Sequence, residues 1–384
     1  MNTYDIQVYD LLSRAGISGA RQLQDFINNQ VMQKYNDLDI PGFQFAATNQ
    51  LDFTYEQVQK EFALNVMASY VDLDSPATPD ATEGATLSTG RIPRMKKVEY
   101  YNEDKIRKMR ILEQFKGVNS AEVRAAALAD LFIATDKLIG GHVNSISYQR
   151  HQIVSTGKFT LTAENNPNGI KGLTFASHVP TANVNTLSGT KRWWTNEEKT
   201  TEGSAATPVE DMVAMVETAR AKGVKGHFEV NAATLTKILN HSKVAGVIGI
   251  NALPASTAEA QAAFAATFSR ARKKAILEEL VGASIVEIDH KVVTQKITKG
   301  AVENVLFDSF DANVVVFVPD GNLGEIITVE PIAIEGGKYA TFLGGRGLLT
   351  VGADYVKKCQ SFNTEMTSLV VPNLPQYMWY TRVC

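Results

Sequence analysis

The chain has 384 residues, 44% of them hydrophobic and 21% charged, with a formal net charge of −3 at pH 7. That composition excludes wholesale disorder, a collagen-like repeat and a long coiled coil, and the length suffices for a core without disulfide or metal support. A charge this close to neutral also excludes a nucleic-acid binder held by overall charge, leaving only local patches to consider. Cys359 and Cys384 are 25 residues apart, which is neither a disulfide framework nor a metal-ligand spacing and suits a reducing compartment. The opening MNTYDIQVYDLL carries Asp5 and Asp10 where a signal peptide would be basic and then apolar. The longest apolar stretch, from Val244 to Ala255, is about half a membrane-spanning helix. No membrane partner is expected.

In chain order, residues 19–35 predict a helix with Leu23, Phe26, Ile27 and Val31 on one face. Residues 62–73 alternate loosely, as a strand does. Residues 74–98, DSPATPDATEGATLSTGRIPRMKKV, hold three prolines among many Ser and Thr. Such a stretch cannot build its own core, and predicts a linker or a protruding loop. From Ile92 to Tyr101 it alternates enough to become strand against a neighbour. Charge is placed unevenly here. The first 90 residues carry 12 acidic and 4 basic side chains, whereas residues 91–116 carry 9 basic and 4 acidic. This acidic-to-basic step reads either as a partner-binding asymmetry or as two solvated faces.

A long helix is predicted from a capping box at Asn119 and Glu122 to Gly157. Its Gly140 and Gly141 predict a bend or a close approach. Short strands occupy 159–187, and a polar loop around Trp193 and Trp194 follows. Thr207, Pro208 and Glu210 read as cap, first-turn proline and capping-box acid for a helix that ends at Gly223. GHFEVN is strand, and Asn231 caps a helix through Leu239. One further helix spans Thr257 to Val281. The strands SIVEI, KVVTQKI, VVVFVP and EIITVEPIAI come next, with an Asp320-Gly321 turn, and the tail returns LLTVGA and TSLVVP. The pattern is α+β with a discontinuous domain plan.

Little of this sequence predicts chemistry. The six histidines are dispersed, none forms HExxH, and His142 and His151 lie too far apart along one helix to share a metal. GGRG at 344–347 lacks the spacing of a phosphate loop, and DLDSPATPD at 72–80 lacks the glycine and closing glutamate of a calcium loop. No nucleophile elbow is present. No catalytic residue, cofactor or metal is therefore expected, and the chain does not read as an enzyme. Trp193 and Trp194, flanked by Lys191 and Arg192, would either stack on a base or sugar or anchor a loop on the subunit or a neighbour.

Taken in order, LDFTYEQVQKEFALNVMASYVDLDSP, GATLSTGRIPRMKKVEYYN, TPVEDMVAMVETARAKGVKGHFEVNAATLTKIL and FVPDGNLGEI resemble the major capsid proteins of tailed bacteriophages. The resemblance is to the lambda-like capsid protein E superfamily, which uses the Hong Kong 97 fold. It implies an N-terminal arm and strand over 1–73, an extended loop over 74–108, and a peripheral domain over 109–208 with its spine helix at about 120–155. An axial domain would fill 209–340, and strands over 341–384 would complete the peripheral domain. The implied function is self-assembly, through hexamers and pentamers, into the icosahedral head shell that encloses double-stranded DNA without sequence-specific binding. Portal and scaffold proteins, with a decoration protein as an option, would be partners, and the virion head, assembled in the host cytoplasm, would be the location. Arg91, Arg94, Lys96, Lys97, Arg107, Lys108 and Arg110, with Trp193 and Trp194, are the intersubunit contacts this reading implies. Alternatives are a bacterial nanocompartment shell, a tail or fibre protein, or a carbohydrate-active enzyme.

Overall fold

The computed structural model describes residues 9–35, 38, 40–60, 85–117, 120–252, 254, 257–298, 301–333, 337–354 and 359–384. The chain opens with α1 (Leu11–Arg14) and α2 (Ala20–Phe26), which continues through wider and then tighter helical turns to Tyr35. Next come β1 (Phe43–Phe45), an antiparallel ribbon of β2 (Thr54–Lys60) and β3 (Ala85–Arg91), then β4 (Arg94–Tyr101), α3 (Glu103–Lys116) and α4 (Ala121–Thr156). Three short strands follow: β5 (Lys158–Thr160), β6 (Thr174–Ala176) and β7 (Val184–Thr186). The middle holds α5 (Pro208–Ala221), β8 (Gly226–Asn231), α6 (Ala232–Asn240), α7 (Ser242–Ala252), α8 (Ala258–Ala266), α9 (Arg270–Val281) and β9 (Ile285–Ile288). A hairpin of β10 (Lys291–Thr298) and β11 (Ala301–Asp308) leads to β12 (Val314–Pro319), β13 (Gly324–Val329), β14 (Lys338–Phe342), β15 (Gly347–Asp354), β16 (Cys359–Pro372) and β17 (Trp379–Arg382).

Two sheets organise these elements. The first runs β1-β13-β16-β15-β14, with β4 added along β16. Its inner face, including Phe342, Leu349, Phe362 and Met366, is buried under α4. The second runs β7-β17-β12-β8-β9. Both of its faces are covered, which is why VVVFVP is a continuous apolar run with every residue buried. Along β12, Val314, Val316 and Val318 point into the core shared with α4, while Val315 and Phe317 point into a second core built with the helices α5 to α9.

The long helix forms as the periodicity predicts, 36 residues without a break, stopped by Gly157 in the left-handed conformation at φ 69°. Its cap is Ser120, whose Oγ accepts the Val123 amide at 3.2 Å; Asn119 lies outside the described residues. The glycines in its middle cause no break. Instead they admit neighbours: a Cβ on Gly140 would meet the Tyr35 hydroxyl at 2.8 Å, and one on Gly141 would meet Lys97 Nζ at 2.6 Å.

Several expectations need correction. Thr207 makes no capping bond to α5, its hydroxyl turning to Asp211 at 3.3 Å. The predicted helix from Thr257 to Val281 is two, because Ser269 caps a fresh start by accepting the Arg272 amide. The supposed N-terminal arm is core from residue 11 to 31: Leu11, Leu12, Leu23, Ile27 and Val31 are buried. Gln24 even satisfies the free edge of β14, bonding both the amide and the carbonyl of Thr341. Nor is 94–108 an extended loop, since β4 is a ladder strand of its own subunit and α3 begins at Glu103. The expected strand at 62–73 and the loop over 74–84 lie outside the described residues. Finally, the two cores do not divide the chain at 209 and 340. β13 and β14 belong to the first sheet, and after β16 in that sheet the chain enters the second through β17, paired with β12.

Candidate intersubunit surface

The basic segment splits into two populations according to strand and helix geometry. On β4 the side chains alternate, and the strand pairs with β16 from Arg94↔Thr367 to Tyr101↔Gln360. Met95, Lys97, Glu99 and Tyr101 turn toward α4: Lys97 Nζ donates to the Lys137 carbonyl at 2.8 Å, Glu99 pairs with Lys137 at 2.8 Å, and the Tyr101 hydroxyl donates to Asp130 at 2.9 Å. Arg94, Lys96, Val98 and Tyr100 are exposed on the outer face. There Glu365 receives Arg94 at 2.5 Å and Lys96 at 3.5 Å. Two cations over one carboxylate leave the patch net positive. Beside it a hollow of about 420 Å³ is lined by Lys96, Lys97, Val98, Thr350, Asn363, Thr364 and Glu365.

Burial, then the neighbouring Lys137, lowers the Lys97 ammonium from its usual value against the pull of Glu99. Burial and the same Lys97 push His142 down to about 4; its Nε2 lies 3.0 Å from the Thr364 hydroxyl. Lys97 is thus held by its own subunit, and the outer face is carried by Arg94 and Lys96. Arg91 ends the ribbon and is exposed. On α3, Arg107 and Lys108 meet Glu103 and Asp104 one turn earlier, at 2.6 and 3.4 Å, and Arg110 is exposed beside them. Exposed i,i+4 pairs of this kind contribute only about 0.3–0.5 kcal/mol, so these side chains remain available to a partner.

Trp193 and Trp194 are not surface residues. They are 0% and 2% exposed and belong to the second core. Trp193 Nε1 donates to Asp211 at 2.7 Å, its carbonyl lies 3.1 Å from His241 Nε2, and the two indoles meet edge to face. Aromatic rings buried with their polar atoms satisfied hold a subunit together, so this expected intersubunit contact is withdrawn.

Periodicity alone did not expose three apolar patches. The β10–β11 hairpin presents Val293, Val302 and Leu306, each more than half exposed, while α3 presents Ile111 and Phe115, the latter 82% exposed. Ile332 is equally open. The alternation in KVVTQKI and the spacing of Ile111 and Phe115 are signals that could have marked the first two. Among the described residues no group of His, Cys, Asp and Glu is arranged to hold a metal ion, and no helix is long and apolar enough to cross a membrane.

No protein-family profile matches this chain, and no curated protein matches its sequence. Its fold is similar over 96% of this chain and 99% of the other to a protein assigned as a prophage capsid protein from E. coli CFT073, at 14% identity and a TM-score of 0.53. Looser likenesses extend to a phage-related protein from Bordetella bronchiseptica RB50, with 12% identity, 99% and 98% coverage and TM-score 0.47. Another is the mature capsid of bacteriophage PhiM1, with 10% identity, 89% and 85% coverage and TM-score 0.44. The first of these shows that the chain shares the fold, built from mixed helix and strand, of that protein assigned as a prophage capsid protein.

Proposed function

We propose that the chain is the major capsid protein of a tailed bacteriophage and self-assembles into the icosahedral head shell around a double-stranded DNA genome. The observation that carries this reading is the end-to-end likeness of fold, 96% of one chain on 99% of the other, to a protein assigned as a prophage capsid protein. A fold alone hosts many functions, so the surfaces matter too. A two-stranded ribbon that pairs with no other strand among the described residues, a net-positive sheet face and apolar side chains on a hairpin and a helix are features of a subunit with many neighbours. In the Hong Kong 97 arrangement the β2–β3 ribbon serves as the extended loop, α4 as the spine of the peripheral domain, and the second core as the axial domain. Copies would associate as hexamers and pentamers, with portal and scaffold proteins as partners, a decoration protein as an option, and the virion head as location. DNA would be enclosed without sequence-specific contacts.

The outer face around Arg94 and Lys96 would meet acidic surface on an adjacent subunit, with Arg91, Arg107, Lys108 and Arg110 contributing. Negative-stain imaging with light scattering over a concentration series, with and without scaffold, tests the function. Uniform shells or hexamer and pentamer rings are expected, and a strictly monomeric species under all conditions overturns it. For the basic face, Lys96→Glu should slow assembly, with salt relieving the defect by screening. Normal assembly with reduced DNA retention would instead assign that face to the genome.

A further inference from the structure

The β10–β11 hairpin is fastened to α4 at its base. His290 immediately precedes β10, Ser309 immediately follows β11, and His151 faces both from α4. Ser309 Oγ lies 2.8 Å from His151 Nδ1, 2.9 Å from His290 Nδ1 and 2.8 Å from the His290 carbonyl oxygen. The hydroxyl has one proton, and the carbonyl can only accept. Donating to that carbonyl leaves two oxygen lone pairs for two Nδ1–H donors, so both rings fit as neutral imidazoles protonated on Nδ1. The rings are 5.0 Å apart, Phe310 packs edge-on against His151 at 6.4 Å, and Ser309 is fully buried.

The charges around this cluster favour neutrality. Arg150 lies next to His151 on α4, and the Glu229 carboxylate from β8 is already engaged by Arg150 and by His227. Lys291 and Asp308 neutralise each other across the first rung of the hairpin at 3.8 Å. Beyond this base the hairpin meets the body through Phe307 on Tyr148, Thr294 on the Glu164 carbonyl and Asn168 on the Gln295 carbonyl.

We propose that His151, Ser309 and His290 form a proton-operated latch that holds the hairpin against α4 at neutral pH and releases it in mild acid. A proton added at Nε2 of His151 places a cation in a buried site, beside Arg150 and with the half-buried second ring 5.0 Å away. Burial, then Arg150 and His290, pushes His151 down to about 3, and burial lowers His290 as well. Once released, the rings regain the ordinary histidine value near 6.5. Linkage then multiplies the released population about tenfold between pH 7.5 and 5.5 from His151 alone.

Hydrogen exchange on the full chain, corrected for intrinsic rates, tests the latch at pH 7.5 and 5.5. Protection over 291–308 should fall about tenfold or more at the lower pH while β12 stays protected. The double variant His151→Asn, His290→Asn keeps an N–H donor without a titrating ring and should show equal hairpin protection at both values. Ser309→Ala, which removes the acceptor, should raise hairpin exchange at pH 7.5 toward the acid level. Unchanged wild-type protection, a pH response that persists in the double variant, or a silent Ser309→Ala would each overturn the proposal.

Discussion

At the scale of single residues, the most consequential interaction is the buried pair of Arg150 and Glu229, both 1% exposed, which ties α4 to the second sheet. Burial raises the Glu229 carboxyl, but the Arg150 guanidinium and His227 outweigh it and hold it at about 2. Arg150 also donates to the Pro41 carbonyl at 3.1 Å, so its remaining hydrogens are partly satisfied. Removing one member strands the other charge. Glu229→Gln should therefore cost about 3–5 kcal/mol in urea unfolding, whereas replacing both by apolar residues of similar volume should recover most of it. The histidines set the response to acid. His142 and His151 are held neutral in the fold, at about 4 and about 3, while an unfolded chain takes up their protons below about 6.5. Stability is complete above that value and should fall with decreasing pH by up to about 1.4 kcal/mol per unit for each ring. His227 works in the opposite sense, because Glu229 and then Asp320 raise it against burial; its share is present in acid and fades as pH climbs through its raised value. Urea midpoints at pH 7, 6 and 5 should decline, and His142→Asn should flatten the decline if the assignment holds.

At the scale of elements, the difference between the predicted and observed caps yields a direct comparison. Ser120→Ala should destabilise the fold by about 1 kcal/mol through loss of the cap on α4, and Asn119→Ala should leave the thermal midpoint nearly unchanged. Long, strongly periodic elements were legible in the sequence: α4, GHFEVN, VVVFVP and the Asn231 cap all form. What was not legible depended on competition between neighbours. Ser269 restarts a helix that apolar spacing alone would have carried through, and α3 was hidden because EDKIRKMRILEQFK reads first as charge. The basic candidates were visible, but which of them face outward was not. β4 alternation sends Lys97 inward and Lys96 outward, and only the register with β16 decides that. The tryptophans failed for the opposite reason, since a polar flanking sequence concealed a buried pair.

At the scale of the whole molecule, the base of the ribbon belongs to the body through Tyr55, buried in the first core against Phe175, and only its far end can be cut without touching that core. Lys60 and Ala85 face each other as its last paired rung, so a short turn can join them. Replacing residues 61–84 by such a turn should leave circular dichroism and the melting temperature close to wild type, while imaging should find few or no stable shells. Normal shells from this variant would show that residues 61–84 are not needed for the intersubunit contacts.

The strand β12 has a further consequence, because its alternate side chains are shared between two cores. A wall common to two rooms cannot be taken down on one side only. Loss of either core strips one face of the same backbone ladder, leaving β8 and β17 without an ordered partner. The isolated subunit should accordingly lose its heat capacity baseline in one step, with calorimetric and van't Hoff enthalpies in agreement, despite a length at which two independent melting events are the usual expectation.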